Sequence, residues 1–295
     1  MSFGSIVALV TPMSAAGDID EPQLARLIEF HLEAGTEGFV IAGTTGESAT
    51  LARDEHVRVI ERSCELVDGR VPVIAGTGSN STAQTLELSR AVDRLPVAGF
   101  LLVTPYYNKP TQEGMYRHFC AVADAVSRPV ILYNVPSRTG VDLTSATVAR
   151  LARHGNISGI KEATGELGRV TQLRRACGKD FVLLSGDDLT ACEFMLRGGD
   201  GVISVTANVA PAGMRALCDA ARAGDRLEAE RIDGELGALH RALFVESNPI
   251  PVKWAVEQLG FPTPGIRLPL TRLAREHHST LRSAMTAAGI EVSRS

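Results

Sequence analysis

Apolar residues along the chain follow two rhythms that take turns. Short β-rich runs occur at Ile6–Val10, Gly38–Ala42, Pro72–Ala75, Gly99–Val103, Val130–Tyr133, Ile157–Lys161, Phe181–Ser185 and Gly201–Ser204. Between them, apolar residues recur every three or four positions, as in Leu24-Leu27-Ile28-His31-Leu32 and Val57-Ile60-Cys64-Val67, the spacing of one helix face. Alternating strands and helices imply parallel pairing through right-handed crossovers. Eight such strands predict an α/β fold of the closed (β/α)8 TIM-barrel type. A doubly wound open sheet would carry a glycine-rich phosphate turn after its first strand, and Thr11-Pro12-Met13 stands there instead.

The polar residues have a place in this rhythm. Thr11, Gly43-Thr44-Thr45-Gly46, Gly76-Thr77-Gly78, Thr104-Pro105-Tyr106-Tyr107, Tyr133-Asn134, Lys161, Ser185-Gly186-Asp187-Asp188 and Ser204 all fall at or just past a strand end. A barrel enzyme builds its site from that face. After Gly224 the strands stop. Asp225 to Phe244, Pro251 to Leu259 and Leu273 to Ala288 read as helices, with Asp225 as an N-cap. The expected organisation is a catalytic barrel over residues 1–224 and a small helical domain over residues 225–295.

Lys161 is the first candidate for chemistry. Side chains alternate faces along a strand, so Ile157, Gly159 and Lys161 share one side, with a gap at Gly159 and an ammonium beyond it. A lysine desolvated at the mouth of an apolar barrel has a lowered pKa, and a neutral amine can attack a carbonyl. The alternative is a surface lysine that snorkels to solvent and pairs with Glu162. Glycines and small hydroxyl residues in Gly43-Thr44-Thr45-Gly46-Glu47-Ser48 leave backbone N–H groups for a carboxylate, or form a tight turn with an N-cap. Three of the four tyrosines, Tyr106, Tyr107 and Tyr133, fall at strand ends, where a phenol can relay protons or satisfy one buried hydrogen bond. Arg138 could grip a carboxylate with two prongs, or be a solvated loop residue.

Composition narrows the partners. A net charge of −4 without a basic cluster argues against nucleic acid. No apolar run approaches the ~18 residues of a membrane helix, so no membrane partner is expected. No basic stretch precedes the first strand, which points to the cytoplasm. Five scattered cysteines without a CxxC pair read as reduced thiols in helices, and the seven histidines show no HExxH, so no metal is expected.

Together these stretches resemble the dihydrodipicolinate synthase family of pyruvate-dependent aldolases. The resemblance rests on Gly43-Thr44-Thr45-Gly46-Glu47-Ser48, Val103-Thr104-Pro105-Tyr106-Tyr107-Asn108-Lys109-Pro110, Tyr133-Asn134-Val135-Pro136-Ser137-Arg138-Thr139-Gly140 and Gly159-Ile160-Lys161-Glu162-Ala163-Thr164-Gly165. Leu184-Ser185-Gly186-Asp187-Asp188 and Asn248-Pro249-Ile250-Pro251-Val252-Lys253-Trp254-Ala255 extend it, in the same order, along the chain from Gly4 to about Leu270.

The resemblance implies a homotetramer, a dimer of dimers, that condenses pyruvate with aspartate semialdehyde in lysine and diaminopimelate biosynthesis. Lys161 would form the Schiff base, and Thr44, Tyr133 and Tyr107 the proton relay, Tyr107 reaching in from a neighbouring subunit. Thr45 would hold the pyruvate carboxylate and Arg138 that of the semialdehyde, while Gly186 and Ile203 line the pyruvate pocket. No organic cofactor or metal is called for. A sialic acid lyase or keto-deoxy-sugar-acid aldolase would share the barrel, lysine and tyrosine, but a sugar substrate wants neutral partners where Arg138 stands. A silent binding barrel would be expected to lose the lysine or a relay member.

Inhibited members of the family bind lysine at a subunit interface. Ser48, Ala49, Leu51, His56, Asn80 and Tyr106 match that pocket. Gln84 stands where those members place a glutamate, and Arg53 where they place a histidine. Weak or absent inhibition by lysine is therefore expected.

Overall fold

The computed structural model describes residues 4–292. Its strands are β1 (Ser5–Ala8), β2 (Gly38–Ile41), β3 (Val73–Gly76), β4 (Gly99–Val103), β5 (Val130–Asn134), β6 (Ile157–Glu162), β7 (Val182–Ser185) and β8 (Gly201–Ser204). They close in sequence order into one parallel barrel, β8 pairing back onto β1. The (β/α)8 expectation holds. The first strand is shorter than its apolar run suggests, because the Val10 amide donates to Oδ1 of Asn208 at 3.0 Å.

Alternation divides the hydrophobic residues into two layers. Ile6, Ala8, Val40, Ile74, Leu101, Ile131, Tyr133, Leu184 and Ile203 fill the barrel interior. Their neighbours Val7, Phe39, Ile41, Ala75, Phe100, Leu102, Leu132, Ile160, Leu183 and Val202 face outward into a second core. There they meet the helices α1 (Glu21–Glu33), α2 (Arg53–Val67), α3 (Thr82–Val92), α4 (Gln112–Ala123), α5 (Pro136–Thr139), α6 (Ser145–Leu151), α7 (Gly168–Cys177), α8 (Ala191–Leu196) and α9 (Pro211–Ala223). Each fully buried aliphatic side chain contributes about 1.5–3 kcal/mol, so both layers are needed to close the sheet. The five cysteines lie in α2, α4, α7, α8 and α9, all as free thiols.

Beyond Gly224 come α10 (Arg226–Ala242), α11 (Ile250–Gln258) and α12 (His278–Ala287). Asp225 caps α10, accepting from the Glu228 amide at 3.1 Å. The last helix starts at His278 rather than Leu273, since the Ala274 amide is held by Glu246 at 3.2 Å and a 3-10 turn intervenes. Ile232, Leu236, Leu239, Val252, Trp254, Leu281 and Met285 of these helices belong to the same continuous core as the outer face of the barrel. Among the described residues, no helix is long and apolar enough to cross a membrane.

Candidate active site

Register carries the predicted residues to one level. Val103 pairs with Tyr133, Tyr133 with Lys161, and Lys161 with Leu184, near the C-terminal ends of four consecutive strands. Two glycines permit close approaches here, one between β6 and β7 and one against the lysine. A Cβ on Gly159 would stand 2.6 Å from the carbonyl oxygen of Val182. One on Gly186 would stand 2.9 Å from Cε and 3.0 Å from Cγ of Lys161. The 2.6 and 2.9 Å distances are shorter than real contacts allow, so any larger residue at 186 would displace the lysine stem.

Lys161 is 5 % exposed. Among the described residues its amine makes no hydrogen bond or ion pair, and its nearest described partner is the Tyr133 ring, whose centroid lies 4.4 Å away. Glu162, the rival partner, points to the other side of the strand, where it accepts from Nε of Arg169 at 3.1 Å and from Asn134 at 3.2 Å. Burial pulls the Lys161 pKa down to about 8; Asp188 pulls it back up and Arg138 pushes it further down. Desolvation wins because no acceptor is in place to stabilise the ammonium. The same burial raises the Tyr133 phenol, with Arg138 and then the Thr44 hydroxyl opposing the rise. Near neutral pH the amine can therefore shed a proton while the phenol keeps its own.

The loop after β2 supplies the anion site. Carbonyls of Gly43 and Thr44 take up the amides of Gly46, Glu47 and Ser48. The amides of Thr44 and Thr45 are left without an acceptor among the described residues. Ala42 and Glu47, on either side, sit at φ 53° and 60°. Such backbone is costly for non-glycine residues and persists only where its surroundings enforce it. Here the C-terminal segment does so: Asn248 donates to Oγ1 of Thr45 at 3.0 Å, and Lys253 is ion-paired with Glu47 in the core.

Arg138 is not on a loop. Pro136 starts the one-turn helix α5 and Gly140, at φ 72°, ends it. The guanidinium donates to the Asn248 carbonyl at 3.2 Å. Thr44, Thr45, Tyr133, Arg138, Lys161 and Gly186 thus line one cavity of about 580 Å³, large enough for two small keto or aldehyde acids.

Other predicted residues lie elsewhere. Ile203 is in the barrel interior, outside the cavity lining. Tyr107 is 88 % exposed and does not reach this chain's own cavity. Ser48, Ala49, Leu51, Arg53, His56, Gln84 and Tyr106 gather around an adjoining cavity of about 730 Å³, without Asn80. Arg53 is already paired there with Glu87 at 3.1 Å. Sequence reasoning gave no role to Asn248, Asp188 or the Glu47–Lys253 pair. Asn248 and Lys253 act across some two hundred residues, and Asp188 ties the segment after β7 to the end of β8; only the distinctness of the surrounding motifs hinted at them.

A closed barrel with a buried, deprotonatable lysine at its C-terminal mouth falls in the class of (β/α)8 enzymes equipped to work on carbonyl compounds. The chain belongs to the dihydrodipicolinate synthetase family, whose model matches residues 1–288. It is 58% identical over 290 residues to the 4-hydroxy-tetrahydrodipicolinate synthase of Thioalkalivibrio sulfidiphilus, covering 98% of this chain and 99% of that one. The synthase of Methylococcus capsulatus is 58% identical over 290 residues, covering 98% of this chain and 100% of that one. Among solved structures it is similar to a chloride-inhibited dihydrodipicolinate synthase from Acinetobacter baumannii complexed with pyruvate. The TM-score is 0.97 at 51% identity, over 99% of this chain and 100% of that one.

Proposed function

We propose that this chain condenses pyruvate with L-aspartate 4-semialdehyde to give 4-hydroxy-tetrahydrodipicolinate, through an imine on Lys161. The observation that carries the mechanism is the buried, unpaired amine at the mouth of a cavity that also holds an anion loop and an arginine. The neutral amine attacks the ketone carbon, and loss of water leaves an iminium. That cation draws electrons from the methyl carbon, which gives up a proton to form an enamine, and the enamine attacks the aldehyde. The semialdehyde's own amine then displaces Lys161 and closes the ring.

Tyr133, with Thr44 beside it, moves protons to and from the departing oxygen; its raised pKa keeps it a donor. Thr45 and the free amides of the loop hold the pyruvate carboxylate, and Arg138 that of the semialdehyde. The reaction runs on these side chains without an added cofactor. Tyr107 completes the relay from a neighbouring subunit of a homotetramer, a reading supported by its exposure in the single chain. The cytoplasm, where free thiols persist, suits the five cysteines.

Rates of carbon–carbon bond formation from pyruvate with aspartate semialdehyde, set against pyruvate with sugar aldehydes, test the reading. Turnover with the semialdehyde alone is expected. Equal or faster turnover with a sugar aldehyde would replace the synthase by a sugar-acid aldolase.

A further inference from the structure

Behind the lysine lies a carboxylate that the mechanism so far leaves unused. Asp188 follows β7 by three residues, two beyond the Gly186 that touches the Lys161 stem. It is 2 % exposed. Oδ2 accepts from the amides of Val205 and Thr206, both at 2.9 Å, at the end of β8. Oδ1 is buried and accepts nothing among the described residues. A carboxylate needed only to tie two loops together would be better served by a neutral amide, whose burial costs less. Half of this one is saturated by backbone; the other half has no partner among the described residues, on the same segment whose Gly186 abuts the Lys161 stem.

We propose that Asp188 is a positioning residue for the imine chemistry, the fixed counter-charge against which the Lys161 nitrogen is cationic both before and after pyruvate is attached. This rests on the reading of Lys161 as the imine-forming residue. Ammonium plus ketone gives iminium plus water, so the nitrogen is positive at both ends and neutral only in between. A fixed negative charge therefore favours both cations over the free amine by a similar factor. It makes the iminium, once formed, persist long enough to lose its methyl proton, at the cost of a smaller fraction of reactive amine.

The charged and titratable groups around Asp188 are Lys161 of β6, Cys218 of α9, Asp233 and His240 of α10, and Cys192 and Glu193 of α8; Arg138 acts on the same amine. Burial raises the thiols of Cys192, to about 11, and Cys218, higher still, out of the working range. Glu193 is occupied by Arg197 and Arg226. His240 holds Thr206 at 2.8 Å, and burial and Asp188 both raise the Asp233 carboxyl; these two are the groups to control for.

The test is the pH dependence of borohydride trapping with pyruvate, in Asp188→Asn and Asp188→Ser. Asn keeps an oxygen for the two amides and Ser removes the charge with a smaller side chain; either one that folds suffices. The acid limb of the trapping rate should move down by about one pH unit. The apparent affinity for pyruvate should weaken about tenfold near pH 10, where the free enzyme holds neutral amine, and stay unchanged near pH 6, where it holds ammonium. Asp188→Glu, which keeps the charge, His240→Gln and Asp233→Asn should leave the limb in place. A merely structural Asp188 would weaken pyruvate equally at both pH values with an unmoved limb, and that result overturns the proposal. No adduct on the unmodified enzyme would remove the imine reading as well.

Discussion

Two of the four lysines, Lys161 and Lys253, are buried to nearly the same depth, 5 % and 3 % exposed, yet sit in opposite electrostatic settings. Lys253 lies in α11 and is ion-paired with the buried Glu47, whose other oxygen accepts from the Arg267 amide at 3.1 Å. Lys161 faces an aromatic ring and an open cavity. Burial lowers both pKa values, but Glu47 counters the effect at Lys253, while at Lys161 the opposing pull of Asp188 still leaves that amine at about 8. Burial alone thus does not make a lysine a nucleophile. What distinguishes Lys161 is that its amine is left without an acceptor, so that losing a proton is the cheaper way to be buried. Lys253 instead tethers the loop that offers amides to an anion.

The strongest way to break this contrast is to neutralise each lysine in turn. Lys161→Met should cost at least ~10³-fold in turnover, the scale seen when a covalent catalyst is removed. The fold should gain stability. Because the native pKa is depressed from 10.5 to about 8, the ammonium penalises the native state below pH 8 and the penalty fades as pH rises to 10.5. The variant's advantage in denaturant unfolding, on the order of 3 kcal/mol at pH 7, should therefore vanish near pH 10.5. Lys253→Met should do the reverse. It leaves Glu47 buried without its cation, a loss of about 3–5 kcal/mol in stability, while trapping at Lys161 persists. Adding Glu47→Gln should return part of that loss, measured as a double-mutant cycle.

Smaller effects sharpen the picture at the cavity itself. Arg138→Ala should leave pyruvate trapping largely intact and raise the KM for aspartate semialdehyde roughly ten- to a hundredfold, the value of one charge-assisted hydrogen bond. Equal damage to both half-reactions would assign Arg138 to shaping the whole site. The smallest effect concerns the adjoining cavity. Gln84 offers a neutral oxygen where an ammonium-binding glutamate would be charged, so lysine should inhibit weakly. Initial rates should show Gln84→Glu tightening lysine by about tenfold. Arg53 contributes less than its charge suggests, since Glu87 already pairs with it at 3.1 Å.

The barrel was legible because its two rhythms are local: strands and helices announce themselves within a few residues, and alternation places Gly159 and Lys161 inward. Lys161, Tyr133 and Thr44 were readable for the same reason, each sitting at a strand end. The setting of Arg138 was not, because a Pro-Ser-Arg-Thr turn reads as loop until Pro136 and Gly140 are seen to bracket one helical turn. Asn248 and Lys253 were beyond reach as well. They meet Thr45 and Glu47 some two hundred residues away, and no local pattern encodes such a contact. Asp188 was quoted within a motif, but its half-free carboxylate is a property of two loops together.

The most direct measurement is peptide mapping after borohydride reduction in the presence of pyruvate. The chain has four lysines, at 109, 161, 179 and 253, so the assignment is unambiguous. The account predicts a single adduct on the peptide carrying Lys161 and none on the equally buried Lys253. An adduct on Lys253, Lys109 or Lys179 with Lys161 unmodified would contradict it.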